Sequence, residues 1–366
     1  MSNNDLNKAR EGKKDEFYTS LEDVVAEIDS YVEFDKDIFR GKTVLLPCDD
    51  PTWSNFTKYF VDNFHILGLK KLISTSYADN KQIDVQPSLF DDIAKNTSDE
   101  EKTPARGKIL VVENSDNSEN TASIENWSFL EGDGDFRSEE ITNLRNEADF
   151  VFTNPPFSLF REFFNWLVEA DIKFSIMGNM NAITYKEVFP FIKENKVWYG
   201  GSITGGGREF RVPEDYPAYS YSFREDESGN KFIRVKGVRW FTNIDYANRF
   251  KQLPLLTMEE NKRLNKRVSD NDNTYVLYDN YDILEVPSVT AIPLDYDGVM
   301  GVPISYIDKH NPKQFEILGT QRWCKDDIIF KLHTDGSLPA EKDTATRING
   351  KETYQRIFIK HTTPPV

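Results

Sequence analysis

Cysteine is nearly missing from this chain of 366 residues: Cys48 and Cys324 are the only two, and two make no disulfide framework. Histidine is almost as scarce, and its four copies stand singly, without the clustered spacing of a metal site. No apolar run approaches the ~18 residues needed to span a bilayer. The opening MSNNDLNKAREGKKDEF is polar and charged, with no apolar core for a secretory signal. These absences set the expectation of a metal-free, cytoplasmic protein, bacterial or, if phage-encoded, in the host's cytoplasm. Positive charge is also short. The 45 Lys and Arg against 61 Asp and Glu leave −16, which at first sight argues against a polyanionic partner. The shortage is local. Residues 1–199 hold 22 basic and 37 acidic side chains, a balance of −15, whereas residues 200–366 hold 23 and 24, a balance of −1. The second half can still present a basic face to nucleic acid.

What is present is an alternation of strands and helices. Thr43 to Leu46 reads as a short buried strand that leaves into PCDDP. WSNFTKYFVDNF follows with apolar residues at helical spacing and Ser54 or Thr52 as its cap. KKLISTSY (70–77) and KILVVEN (108–114) are further strands. The polar, weakly periodic residues 79–106 between them read as an insertion or a mobile loop. A helix over Glu139 to Asn146, the strand Phe150 to Thr153, an amphipathic helix over 159–170 and the strand KFSIMGN (173–179) continue the pattern. YKEVFPFIKEN reads as a helix broken near Pro190, and KVWYGG as a strand. Such alternation predicts an α/β fold with a doubly wound, mainly parallel sheet of Rossmann-like type. After Gly201 the texture becomes aromatic and β-rich, with Arg and Lys interleaved and a helix within NRFKQLPLLTMEENKRLNKR. The expectation is therefore a catalytic domain over residues 1–200 and a second, β-rich α+β module over 201–366.

Four stretches can carry chemistry. The strand Phe150 to Thr153 runs into Asn154, Pro155, Pro156 and Phe157, where two prolines with no N–H stop the sheet. This is either punctuation before the next helix or a grip on an amino group. In the second case the Asn154 side-chain oxygen and the Pro155 carbonyl accept both hydrogens of an exocyclic amine, and Phe157 stacks on a flat heterocycle. PCDDP lies at the end of the first strand, the usual seat of a nucleotide-like cofactor. It lacks glycine. Asp49 and Asp50 would repel a pyrophosphate but can take the ammonium of S-adenosylmethionine; otherwise they are turn aspartates ahead of a helix. GDGDF places Asp135 and Phe136 at a glycine-rich turn where they can meet an adenine, although such turns are common. DEFYTS (15–20) is either a cap with a hydrophobic staple or a lid over the cofactor. Beyond residue 200, Arg208, Arg211, Arg224, Lys231, Arg234, Lys236 and Arg239 alternate with Phe and Tyr, as on a strand face that follows phosphates or is simply solvated.

The order DEFYTS, PCDDP, GDGDF, NPPF resembles the amino-methyltransferase arrangement. More closely, the chain resembles the EcoRI-type adenine-specific DNA methyltransferase family. KKDEFYTSLEDV, VLLPCDDPTWSNF, LISTSY, EGDGDFRSEE, FTNPPF, VRWFTN and MGVPISYIDKHNPKQFEILG carry the likeness across residues 13–319. The resemblance implies that Asn154, Pro155, Pro156 and Phe157 form the catalytic motif. It also implies that Phe17, Tyr18 and Thr19 lie against the methionine end of S-adenosylmethionine. Cys48, Asp49 and Asp50 would match the first cofactor motif, and Asp135 with Phe136 the one near the cofactor's adenine. Departures from the general pattern are the missing glycines of PCDDP and the missing acid after the second strand, where Asp79 is the candidate ribose contact. The implied function is methyl transfer to the 6-amino group of a flipped adenine in double-stranded DNA, with Arg208, Arg211, Arg234, Lys236 and Arg239 as candidate DNA contacts. A cognate restriction endonuclease is a further implied partner. Rival acceptors are adenine in RNA or a protein glutamine; the rival class is a catalytically idle DNA-binding relative.

Overall fold

In a computed structural model, the described residues are 18–78, 105–114, 123–212, 223–270, 275–321 and 345–363. Phe17, Asp79, Cys324 and most of the expected insertion (residues 79–104) lie outside them. The chain clusters into two compact units that do not follow sequence order. One joins residues 1–178 to 206–238, and the other joins 179–205 to 239–366.

The first unit opens with α1 (Leu21–Phe34), β1 (Thr43–Leu46), α2 (Asn55–Asp62), β2 (Lys71–Thr75), β3 (Lys108–Glu113) and β4 (Ser128–Phe129). It continues with α3 (Glu139–Glu147), β5 (Phe150–Thr153), α4 (Phe160–Val168) and β6 (Lys173–Asn179). Its sheet runs β4-β3-β2-β1-β5-β6. β2, β1, β5 and β6 are parallel, while β3 and β4 are antiparallel additions at one edge. β1 and β5 are buried at every position, which is why they are apolar runs and not alternating patterns. Ser54, not Thr52, caps α2, accepting from Phe56 N and Thr57 N. The mainly parallel α/β sheet is the fold that the sequence led us to expect.

The chain then enters the second unit with α5 (Phe189–Lys193) and β7 (Trp198–Tyr199). The helix expected over 185–195 is only five residues long, because Pro190 sits in its first turn and starts it instead of breaking it. The next three strands, β8 (Gly207–Val212), β9 (Phe223–Glu225) and β10 (Lys231–Lys236), return to the first unit as an antiparallel sheet ordered β8-β10-β9. A backbone bond from Tyr18 N to Arg211 O, at 3.0 Å, ties this sheet to the N-terminal segment.

From β11 (Val238–Thr242), which pairs with β7, the chain stays in the second unit. There α6 (Met258–Leu264) and α7 (Lys266–Ser269) precede β12 (Leu277–Tyr278), β13 (Tyr281–Glu285), β14 (Met300–Pro303) and β15 (Phe315–Thr320). The chain closes with β16 (Arg347–Ile348), β17 (Lys351–Glu352) and β18 (Arg356–His361), and a five-stranded sheet is ordered β12-β13-β14-β18-β15. Two buried ion pairs brace this unit: Arg239 on Asp308 at 2.8 Å, and Arg356 on Glu285 at 2.6 Å. The stretch MGVPISYIDKHNP forms β14 and a turn that Asn311 holds from inside, donating to Phe250 O at 3.0 Å.

Candidate active site

The topology locates the site before any side chain is considered. From β1 the chain winds outward to β2, whereas from β5 it winds the opposite way to β6. The crevice beyond the carboxyl ends of β1 and β5 is therefore the switch point where such sheets bind ligands. PCDDP leaves one of these strands and NPPF the other. They border a single cleft of about 1580 Å³, built wholly from the first unit.

The glycine-free turn after β1 is fixed by hydroxyls. Ser74 and Thr75 of β2 donate to the carbonyls of Asp49 and Pro47 at 2.6 and 3.2 Å, and Asp49 N donates to Thr75 O at 2.8 Å. The two aspartates then differ. Asp50 accepts from Lys108 Nζ at 3.0 Å and from Thr52 N at 2.8 Å, so its charge is already compensated. Asp49 is 5% exposed, and its Oδ1 accepts from Ser54 Oγ at 2.7 Å. Burial pushes its carboxyl up to about 7, against the easing effect of Ser54 and of Thr153. Thr153 is near enough to ease that charge but not aligned as a hydrogen bond, which leaves Asp49 Oδ2 and Thr153 Oγ1 buried without partners. An unsatisfied carboxylate oxygen facing a cleft is a seat for a cation.

On the other strand, Asn154 and Pro156 line the cleft. Pro156 (φ −52°, ψ 126°) leads into a helical turn over Phe157–Leu159 and gives its carbonyl to Leu159 N at 2.9 Å. The turn does not draw on the buried Pro155 carbonyl. Phe157 is half-buried in that turn, and the cleft wall there is made by Ser158 and Leu159. Tyr18, Thr19, Cys48, Asp49 and Asp50 all line the cleft. Asn55 of α2 holds the Thr19 carbonyl at 2.7 Å, and Tyr18 packs its ring 4.2 Å from that of Trp53.

Asp135 and Phe136 also reach the cleft. Asp135 is held by Arg137 at 2.6 and 2.9 Å, which keeps its carboxyl below the usual range. Phe136 is 5% exposed and packs against Phe163 at 4.9 Å, so most of its ring belongs to the core. Gly134 has φ +82°, and a Cβ there would lie 2.1 Å from Ser76 O. The turn is pressed against the end of β2 so closely that only glycine fits.

Of the expected DNA contacts, Arg208, Arg211 and Arg234 line this cleft. Lys236 is exposed on the same face of β10 as Arg234. Arg239 is different. It lies in the second unit, 4% exposed, with both forks of its guanidinium on Asp308, so it is a structural ion pair and is not carried forward as a DNA contact. Sequence reasoning missed Trp53, Asn55, Tyr77, Asp23 and Phe232, which also line the cleft. Tyr77 was signalled by its place two residues after β2, and Phe232 by its alternation with Arg234.

An α/β sheet with a rigid Asn-Pro-Pro turn and a cation-seeking carboxylate at its switch point defines an amino-methyltransferase class of site. Comparison with known proteins narrows this. Residues 5–362 match the family described as adenine-specific methyltransferase EcoRI, and the chain belongs to that family. It is 43% identical to the Type II methyltransferase M.EcoRI of Escherichia coli, over 97% of this chain and 96% of the relative. It is 31% identical to the Type II methyltransferase M.MpnI of Mycoplasma pneumoniae, over 97% of each. M.MgeORF184P of Mycoplasma genitalium, also a Type II methyltransferase, is 30% identical over 97% of this chain and 98% of its own. No solved structure matches the chain. Among the described residues no helix is long and apolar enough to cross a membrane.

Proposed function

We propose that this enzyme transfers a methyl group from S-adenosylmethionine to the 6-amino nitrogen of an adenine turned out of duplex DNA. The observation that carries the reading is the meeting of Asn154 and Pro156, which flank the buried Pro155, with Asp49 in one cleft of about 1580 Å³. That volume exceeds the roughly 300–1,000 Å³ of a site for one small ligand, so it has room for a cofactor and a base together. The donor set suits this cofactor: Asp49 Oδ2 offers a seat for its ammonium, and seven cleft carboxylates suit a ligand with a sulfonium centre. The cofactor supplies an electrophilic methyl group.

The chain's own residues supply position. The Asn154 side-chain oxygen and the Pro155 carbonyl accept the two amine hydrogens and turn the nitrogen lone pair toward the methyl. With the donor bound, the new N–C bond would form as the S–C bond broke with its electron pair staying on sulfur, and one amine proton would leave to solvent. Phe157 covers one face of the base. Holding the two reactants in line accounts for most of the rate. Tyr18 and Thr19 lie along the methionine end, with Phe17 preceding them; Cys48 and Asp50 shape the turn, and Asp135 with Phe136 meets the cofactor's adenine.

Arg211, Arg234 and Lys236 are proposed to contact DNA. The division of labour at residue 200 is kept as a proposal about roles, with the catalytic motif and most cofactor contacts before it and target recognition after it. The Type II names of the relatives add a cognate restriction endonuclease to the proposed partners, and DNA as acceptor puts the enzyme in a bacterial cytoplasm, its own or a phage host's. The test is transfer of labelled methyl to DNA of varied sequence, with Asn154→Ala as control. Transfer should fall by about a hundredfold or more in the variant, while cofactor binding persists. Labelling of RNA and not DNA would overturn the acceptor; undiminished labelling by Asn154→Ala would overturn the mechanism.

A further inference from the structure

We infer that Arg208 binds the α-carboxylate of the cofactor's amino-acid end, and so belongs to the cofactor and not to DNA. The inference rests on the S-adenosylmethionine reading and begins from the strand alternation of β8. Antiparallel pairing sets Arg211 opposite Phe232 and Glu209 opposite Arg234, so these four share the solvent face of the sheet. Arg208 lies on the other face, the one that carries the buried Phe210 and Val212. It is directed away from any strand laid across Arg211 and Arg234. It nevertheless lines the cleft.

Its surroundings are those of the methionine end. The Arg208 Nε stands 3.4 Å from Asp23 Oδ1, too poorly aligned to count as a hydrogen bond, and Nε is buried without a hydrogen-bond partner. Asp23 is itself held by the Ser20 hydroxyl at 3.1 Å, in the turn that follows Tyr18 and Thr19. A loosely held guanidinium retains N–H groups that a carboxylate can take as a pair.

Elimination points the same way. Seven carboxylates and four guanidiniums line the cleft, so an incoming α-carboxylate meets a field of its own sign unless a cation receives it. Arg137 is committed to Asp135 at 2.6 Å and to Glu162 at 3.1 Å. Arg211 and Arg234 line the cleft from the outer sheet face that they share with Lys236. Arg208 alone lines it from the inner face, beside Asp23, and with Asp49 it gives the cleft one anionic and one cationic seat, the complement of a zwitterion.

The test is calorimetry of the full chain with two probes, S-adenosylhomocysteine and 5′-methylthioadenosine, which shares the nucleoside but lacks the amino-acid end. Arg208→Ala should weaken S-adenosylhomocysteine by about ten- to hundredfold, the worth of a charge-assisted hydrogen bond, and leave 5′-methylthioadenosine unchanged. That second affinity also shows that the cleft is folded. Arg208→Lys should restore part of the loss, because it keeps the charge but not the fork. An equal loss for both probes would overturn the inference in favour of a structural role. Unchanged binding of both, with weakened DNA binding, would return Arg208 to the DNA. Failure of the unsubstituted chain to bind either probe would remove the cofactor reading itself, a result distinct from the other three.

Discussion

Replacing Asp49 with asparagine tests the cofactor seat and the fold in one substitution. In the unfolded chain this carboxyl titrates near 3.8, whereas burial in the β1 turn pushes it up to about 7. The folded chain therefore holds a proton that the unfolded chain has released. Its stabilising effect is fully present below about pH 4 and is lost as pH rises to about 7, beyond which the penalty of the buried charge is constant. At about 1.4 kcal/mol per tenfold change in proton affinity, the span corresponds to about 4 kcal/mol. Asparagine keeps the shape, and its oxygen can still accept from Ser54 Oγ, but it carries no charge. Urea unfolding at pH 8 should show Asp49→Asn more stable than the unsubstituted chain by an amount on the order of 2–4 kcal/mol. The difference should shrink as pH falls from about 7 and vanish below about pH 4.

Cofactor binding should move the opposite way. If the ammonium needs ionised Asp49, a carboxyl titrating at about 7 is about one-tenth ionised at pH 6 and about nine-tenths ionised at pH 8. The dissociation constant of S-adenosylhomocysteine should then improve by about tenfold over that range. The asparagine variant should bind weakly and without this pH dependence. A variant that binds as tightly as the parent, or a parent whose affinity is flat from pH 6 to 8, would refute the assignment of the ammonium to Asp49. A variant that is less stable at pH 8 would refute the burial argument.

Gly134→Ala should lower stability by about 2 kcal/mol or more, because φ +82° strains an L side chain and the new Cβ would meet Ser76 O at 2.1 Å; thermal unfolding with no loss would contradict the close approach. Asp308→Ala leaves the buried Arg239 guanidinium without its carboxylate, and chemical unfolding should show a cost of about 3–5 kcal/mol. A change below about 1 kcal/mol would mean that water reaches that pair.

The strands and the two strand-end motifs were legible because each follows from local pattern. Strands buried on both faces read as unbroken apolar runs, and the residues directly after them fall at the crevice by topology alone. Long-range pairing was not legible. Nothing near Asp50 announces Lys108, 58 positions away, as the cation that compensates it while Asp49 goes without. Likewise, the alternation of Arg and aromatic residues after Gly201 is the same in β8 and in β11. Yet β8 joins the first unit through the Tyr18–Arg211 bridge, whereas Arg239 in β11 is drawn into the second unit by Asp308. Residue type does not decide between a solvated and a buried arginine; the carboxylate waiting for it does.

The same logic resolves the conflict between a chain of net charge −16 and a polyanionic substrate. Phosphates respond to charge within about a Debye length, roughly 8 Å at physiological salt, and not to the total. On the solvent face of the β8-β10-β9 sheet the register brings Arg211, Arg224, Arg234 and Lys236 together around Phe232, against the single carboxylate of Glu209. Apart from Glu209, six carboxylates line the cleft off this face, where the proposed cofactor would bring a sulfonium and an ammonium. An acidic cavity next to a basic sheet face separates the two ligands by sign. On the proposed reading the cofactor would be drawn inward and the DNA backbone held at the basic face, so that an uncharged base is what enters between them.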